Sequence, residues 1–231
     1  MTRSHLNITR STLALVAAAV VTACSSESVT APAKVHSITP VSGVSAWVGT
    51  VGTALPAPVR VQVLDQAGSP MAGVSVQFHV VAGGGSVDAA SALTGADGRA
   101  SVVWTLGTAA GADSLLVNTV EGVSTYITAT AIAGEAAALN KVSGDEQIVA
   151  PGASTDPFIV KAVDQYGNAV AGVTVSWISV SGGFLSANST VTGSDGLAQI
   201  SLTTDQPATY TVTAQLQSAA SATATFTAVS Q

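Results

Sequence analysis

Charge is scarce in this 231-residue chain: 9% of residues are charged, with 7 Lys and Arg against 13 Asp and Glu. Nucleic acid and anionic lipid headgroups both require clustered Lys and Arg, so neither is an expected partner. Aromatics make up only 4%. Helix formers such as Glu, Lys and Leu are few, while Val and Thr alternate, which points to strands. The chain is still 47% hydrophobic, with abundant Ala, Val, Thr, Ser and Gly, which excludes a disordered polyampholyte. One cysteine, Cys24, cannot close an intramolecular disulfide, so the fold must stand on packing.

That cysteine ends the tetrad Val21-Thr22-Ala23-Cys24, behind Arg3, Arg10 and an apolar run over residues 13–21. A positive start, an apolar stretch of about 7–15 residues and small residues at the cut describe a secretory signal. The run is too short for a hydrocarbon core that needs roughly 20 residues. The tetrad resembles the lipobox of bacterial lipoproteins. In that family cleavage precedes the cysteine, whose thiol takes a diacylglycerol and whose freed amine is acylated. The resemblance implies a cleaved lipoprotein signal peptide at 1–23, a lipidated tether at 24–34, and a membrane partner through the lipid on Cys24. An ordinary signal peptide with a chance cysteine is the competing reading. Ser25, where an Asp would retain a Gram-negative lipoprotein at the inner membrane, implies the outer membrane or cell surface. Cleavage removes Arg3 and Arg10, leaving five basic residues against thirteen acidic ones, a net charge of about −8.

Self-comparison shows a repeat. Val63-Leu64-Asp65-Gln66-Ala67-Gly68-Ser69-Pro70-Met71-Ala72-Gly73-Val74 returns as Ala162-Val163-Asp164-Gln165-Tyr166-Gly167-Asn168-Ala169-Val170-Ala171-Gly172-Val173. Leu93-Thr94-Gly95-Ala96-Asp97-Gly98 returns as Val191-Thr192-Gly193-Ser194-Asp195-Gly196. Two units of nearly 100 residues, 35–133 and 136–231, fill the mature chain as tandem beads rather than as a solenoid of repeats of about 20–50 residues.

Within each unit the period is two. Val59, Val61 and Val63 alternate with Arg60 and Gln62, and Phe158, Val160 and Ala162 with Ile159 and Lys161. Val74, Val76, Phe78 and Val80 are matched by Val173, Val175 and Trp177; Ala100, Val102 and Trp104 by Ala198, Ile200 and Leu202. Each set predicts one inward and one outward face. Asp65, Gly68, Gly73, Asp97 and Gly98, with Asp164, Gly167, Gly172, Asp195 and Gly196, supply turns between them. About seven strands per unit and no helical period predict an all-β fold of two tandem immunoglobulin-like sandwiches.

These residues resemble the bacterial immunoglobulin-like domains of group 1, the invasin and intimin type. The family pattern is matched by Gly52, Ala54-Leu55-Pro56, the segment from Asp65 to Val74, Gly83-Gly84-Gly85-Ser86, Thr94 to Gly98, and Trp104-Thr105-Leu106-Gly107 with Gly111. The second copy keeps the Asp164 and Thr192 elements but has Asp205-Gln206-Pro207-Ala208 in place of the Leu-Gly-x-x-x-Gly loop. The resemblance implies a non-catalytic envelope or surface protein acting in adhesion or as a stalk. The alternative is an accessory module binding a glycan or protein ligand through loops such as 83–94 and 107–113. The invasin type also carries a distal lectin-like domain and hangs from a membrane barrel, and no counterpart of either is seen here.

No residue pattern supports catalysis. Gly-x-Ser-x-Gly is missing, and His36 and His79, the histidines left after cleavage, have no spaced partner. The expectation is no catalytic residue, no metal and no cofactor beyond the lipid. Calcium takes six to eight oxygens, usually from several acidic residues, whereas each turn here offers one Asp. Gly83-Gly84-Gly85-Ser86 has no Gly-Lys-Ser/Thr and no helix pattern, which argues against a phosphate loop. Phe78, Trp104 and Trp177 fall at inward positions and are expected in the cores.

Replacing Cys24 by Ser should release the protein into soluble fractions with both domains folded. Continued partition of the Cys24→Ser chain with membranes would exclude lipidation as the anchor.

Overall fold

The computed structural model describes residues 1–2, 33–41 and 47–231; the signal segment, Cys24 and all but the last residues of the tether lie outside them. Residues 33–231 form one compact unit. It is entirely β, with no helix among the described residues.

Ten strands build the first domain: β1 (Val35–Pro40), β2 (Trp47–Thr50), β3 (Val59–Asp65), β4 (Ser75–Ala82), β5 (Ser86–Val87), β6 (Ser91–Leu93), β7 (Arg99–Val102), β8 (Trp104–Thr105), β9 (Gly111–Thr119) and β10 (Ser124–Ile132). The second repeats them as β11 (Ala138–Ser143), β12 (Gln147–Val149), β13 (Phe158–Val163), β14 (Thr174–Ser179), β15 (Phe184–Leu185), β16 (Ser189–Val191), β17 (Leu197–Ile200), β18 (Leu202–Thr203), β19 (Ala208–Leu216) and β20 (Thr223–Ser230). Each domain packs a three-stranded sheet, β1-β3-β7 or β11-β13-β17, on a five-stranded one, β2-β10-β9-β4-β6 or β12-β20-β19-β14-β16. Pairing is antiparallel except for the edge strands β2 and β12, which run parallel to β10 and β20.

The alternation of the sequence is what closes the sandwich. Val59, Val61 and Val63 on β3 face Val76 and Phe78 on β4, Leu115 and Val117 on β9, and Ile127, Ala129 and Ala131 on β10. The second core repeats this with Phe158, Val160 and Ala162 against Val175, Trp177, Val212, Ala214, Leu216 and Phe226. Outward positions carry polar side chains such as Arg60 and His79 alongside exposed apolar ones such as Tyr126 and Ile178.

Sequence periodicity runs Ala100, Val102 and Trp104 together as one strand. The structure breaks it at Val103. Asp88 takes the Val103 N–H through its carboxylate, 2.9 Å, and its own N–H bonds the Val103 carbonyl. β7 therefore stays on β3 while β8 pairs with β5. Ser186 and Ser201 make the same corner in the second domain. Inward alternation persists across the break because the corner re-routes backbone bonds without adding a residue.

The large core side chains differ between the copies. Trp104 and Phe78 in the first domain correspond to Leu202 and Trp177 in the second, and all four are buried. Trp177 donates from Nε1 to Thr190 Oγ1, 2.8 Å, and packs beside Phe226, which also contacts Phe158 with ring centroids 5.2 Å apart.

Truncating Trp104 or Trp177 to Ala should cost about 3–5 kcal/mol, a large part of one domain's stability. Trp177→Phe should cost less, because it keeps most of the buried ring and gives up chiefly one hydrogen bond, worth about 1 kcal/mol. Denaturant midpoints unchanged by Trp177→Ala would show that the ring does not support the core.

Candidate functional site: the interdomain joint

The four recurring Asp residues each close a turn with one carboxylate oxygen. Asp65 Oδ1 accepts from Ala67 N and Ser69 N, both 2.8 Å. Asp164 Oδ1 accepts from Tyr166 N and Asn168 N, both 2.9 Å. Asp97 and Asp195 accept from Arg99 N and Leu197 N at 3.1 and 3.0 Å. This is the local competition for backbone donors that places Asp in turns. Gly68, Gly73 and Gly98, with Gly167, Gly172 and Gly196, all take positive φ. At Gly98 space adds to conformation: a Cβ would lie 2.8 Å from the Val63 carbonyl oxygen, and at Gly196 2.9 Å from that of Ala162. Thr94, buried behind this turn, donates to the Met71 carbonyl and accepts from Val74 N; Thr192 does the same with Val170 and Val173.

Asp164 departs from its three counterparts. Its second oxygen, Oδ2, accepts from Gly134 N at 3.0 Å in the linker and from Asn168 Nδ2 at 2.9 Å. Burial pushes the carboxyl up, but the bonds from the Asn168 amide and from the N–H groups of Gly134, Asn168 and Tyr166 outweigh it and hold Asp164 below the usual carboxylate range. Asn168 then reaches the first domain. Its Nδ2 donates to Thr108 O, and its Oδ1 accepts from Ala110 N, each 2.8 Å. Tyr166 lies over Gly52, where a Cβ would sit 2.7 Å from Oη; Gly52 has φ +68° and bonds the Gly107 carbonyl. Any side chain at residue 52 would displace the Tyr166 ring.

The turn at 164–168 and the loop at 106–110 are thus brought together, with the linker threaded between them. Periodicity and turn chemistry do not reveal Tyr166, Asn168 or Gly52 as a set. The available signal is the difference between copies inside the turn, Ala67 against Tyr166 and Ser69 against Asn168, where the Asp, Gln and Gly around them are kept.

The glycine segment 83–85 carries φ of 81–85° and wraps Asp113. Asp113 is buried, accepts from Gly107 N at 3.4 Å, and leaves Oδ1 without a partner among the described residues. In the second domain Tyr210 stands at that place, its hydroxyl bonded to the Asp205 carboxylate and the Gln206 carbonyl and accepting from Asp205 N and Gln206 N. His36 and His79 are both exposed. Among the described residues no three His, Cys, Asp or Glu side chains come together as metal ligands.

Residues 138–229 match the family profile described as bacterial Ig-like domain (group 1). No curated protein is significantly similar to the chain in sequence. Among solved structures, the Escherichia coli adhesin FdeC superposes with a TM-score of 0.50 at 15% identity, over 83% of this chain and 63% of that one. The Yersinia pseudotuberculosis adhesin InvE gives 0.41 at 19%, over 84% and 58%. The D0-D1 domain of intimin gives 0.35 at 20%, over 84% and 95%. The chain therefore spans less than two thirds of the two adhesin structures, and the likeness to FdeC is one of fold.

The Asp turns predict indifference to calcium. A bound ion would stabilise by about 2.7 kcal/mol at a hundredfold excess over Kd, several degrees for a domain of this size. We expect no shift in melting temperature with calcium or chelator, and a rise abolished by Asp65→Asn would overturn this. The depressed Asp164 predicts a pH effect. Its stabilisation is present above the unfolded carboxylate value, about 3.9, and is lost as pH falls through the lower folded value. The melting-temperature gap between the parent and Asp164→Asn should be full at pH 7 and shrink below about pH 4. A gap constant down to pH 2 would contradict it.

Proposed function

We propose that this chain, whose second domain matches the bacterial Ig-like domain (group 1) profile, is an exported, lipid-anchored stalk without catalytic activity, working in adhesion at the outer membrane or cell surface. The observation that carries this reading is the joint. A flexible pair of beads needs no contact beyond the linker, yet here the linker, a turn and a loop share one hydrogen-bonded set centred on Asp164 and Asn168. Such a contact favours a fixed spacer over independent modules, because domains joined by a linker alone move relative to each other by default. The low charge and Thr-rich outer faces suit an exposed shaft that avoids binding along its length.

A second reading is supported by Phe184, which is 71% exposed on β15 and shares a crevice with Ile178 and Asn188. A protein or glycan ligand could use an aromatic on that face, and the accessory-module alternative rests on it.

A spacer holds its far end off the membrane. At about 3.3 Å per strand residue, two sandwiches end to end reach on the order of 60–80 Å. In the lipidated protein on vesicles, a dye near Lys34 should transfer energy strongly to a lipid-embedded acceptor, and a dye at Gln231 hardly at all. Equal transfer from both ends would mean that the chain lies on the membrane, and the stalk reading would fall.

A further inference from the structure

Two groups of the first domain meet Asn168, and they differ in kind. Ala110 offers a backbone donor and Thr108 a backbone acceptor, two residues apart on loop 106–110. A primary carboxamide is the side-chain group that presents an acceptor and a donor on one small plane. A carboxylate lacks the donor, and a hydroxyl offers a single atom for both partners. The remaining Nδ2 hydrogen of Asn168 goes to Asp164, so every polar atom of the side chain is used.

We infer that loop 106–110 of the first domain is a carboxamide-reading socket, and that Asn168 is the residue that addresses the second domain to it. The inference rests on the stalk reading and deepens it, since it states how the order of the domains is specified. The partner that fits is a turn of the form Asp-x-aromatic-Gly-Asn, with the aromatic lying over a residue that lacks a Cβ, as Tyr166 lies over Gly52.

Neither outer end of the pair carries its half of this contact. The first domain's own turn has Ala67 and Ser69 where the second has Tyr166 and Asn168. Ser69 keeps the turn bond to Asp65 but cannot span a donor and an acceptor. The far loop of the second domain has four residues, 204–207, between β18 and β19, against five, 106–110, between β8 and β9. Its Asp205 and Gln206 N–H groups and the Gln206 carbonyl turn inward to the Tyr210 hydroxyl. The joint is therefore made once, in one order. Copies of the chain do not stack through it into open head-to-tail filaments, the hazard of a heterologous interface between like units.

Amide hydrogen exchange at Ala110, followed by NMR in the full chain carrying Cys24→Ser, tests this directly. In the parent, Ala110 is protected. Asn168→Ser, which installs the first domain's own turn residue, should lower that protection by at least about tenfold while the amide of residue 168 stays protected by Asp164. Asn168→Asp, nearly the same shape, should lose as much, because it faces Asp164 and the Thr108 carbonyl with no donor. The second domain should stay folded in both variants, its melting lowered only modestly by the loss of one of the four donors to Asp164. An unprotected Ala110 in the parent, or protection unchanged in Asn168→Ser, overturns the inference. So does unfolding of the second domain in both variants, since Asn168 would then be a turn former and not an address. None of these outcomes depends on the vesicle measurement, so the stalk reading and the socket can fail separately.

Discussion

The Asp164 carboxylate joins what would otherwise be three separate pieces of chain. Its Oδ1 closes the turn after β13 and its Oδ2 pins the linker at Gly134 and orients the Asn168 amide. Burying a carboxylate without a cation is ordinarily costly, and no salt bridge among the described residues compensates it here. Four donors compensate instead, which is why its protonation is disfavoured despite burial. The consequence runs outward. A fixed Asn168 can meet a donor and an acceptor at once, whereas a free rotamer would lose conformational entropy for each bond formed. The interdomain contact is in this sense a property of a turn.

The same turn in the first domain shows what the contact adds. Among the described residues the Asp65 carboxylate makes only the two turn bonds. Turn closure and domain docking are therefore separable: the first needs Asp and a glycine at positive φ, the second needs the amide and the aromatic. A similar separation holds in the cores. Exchanging Phe78 and Trp104 for Trp177 and Leu202 moves the largest ring from one strand to another while the inward pattern stays. Cores accept such exchange when volume and alternation are kept. The indole N–H is treated differently in the two: Trp177 finds Thr190, and Trp104 Nε1 has no partner among the described residues.

What the sequence reveals follows from how local each cause is. Alternation is local, so the inward residues of β3, β4, β7 and their counterparts are readable, and the resemblance in motif spacing names the sandwich. Turn glycines beside Asp are readable for the same reason. The corner at Val103 is not, because its cause is a carboxylate fifteen residues away, just past a strand of two residues. Asn168 is read as one more turn residue, since Asn is at home in turns; its partners Thr108 and Ala110 lie about sixty positions upstream and contribute only backbone, which leaves no mark in their side chains. A backbone socket is invisible to pattern, and only the mismatch between the repeats betrays the residue that reads it.

The mismatch also orders the two ends. Tyr210 replaces Asp113 at the same point of the sandwich, and the two solve one problem oppositely. Asp113 sits under a five-residue loop with a single long bond from Gly107 N, leaving the backbone groups of Thr108 and Ala110 pointing away for a neighbour. Tyr210 gathers the N–H groups of a shorter loop onto its own hydroxyl. Backbone donors must be paired somewhere when a loop is covered. A loop that satisfies them internally has no use for a docking turn, and one that does not is completed by it. The sequence change at 205–208 therefore marks a different state of the loop, self-contained where its counterpart is completed by the following domain.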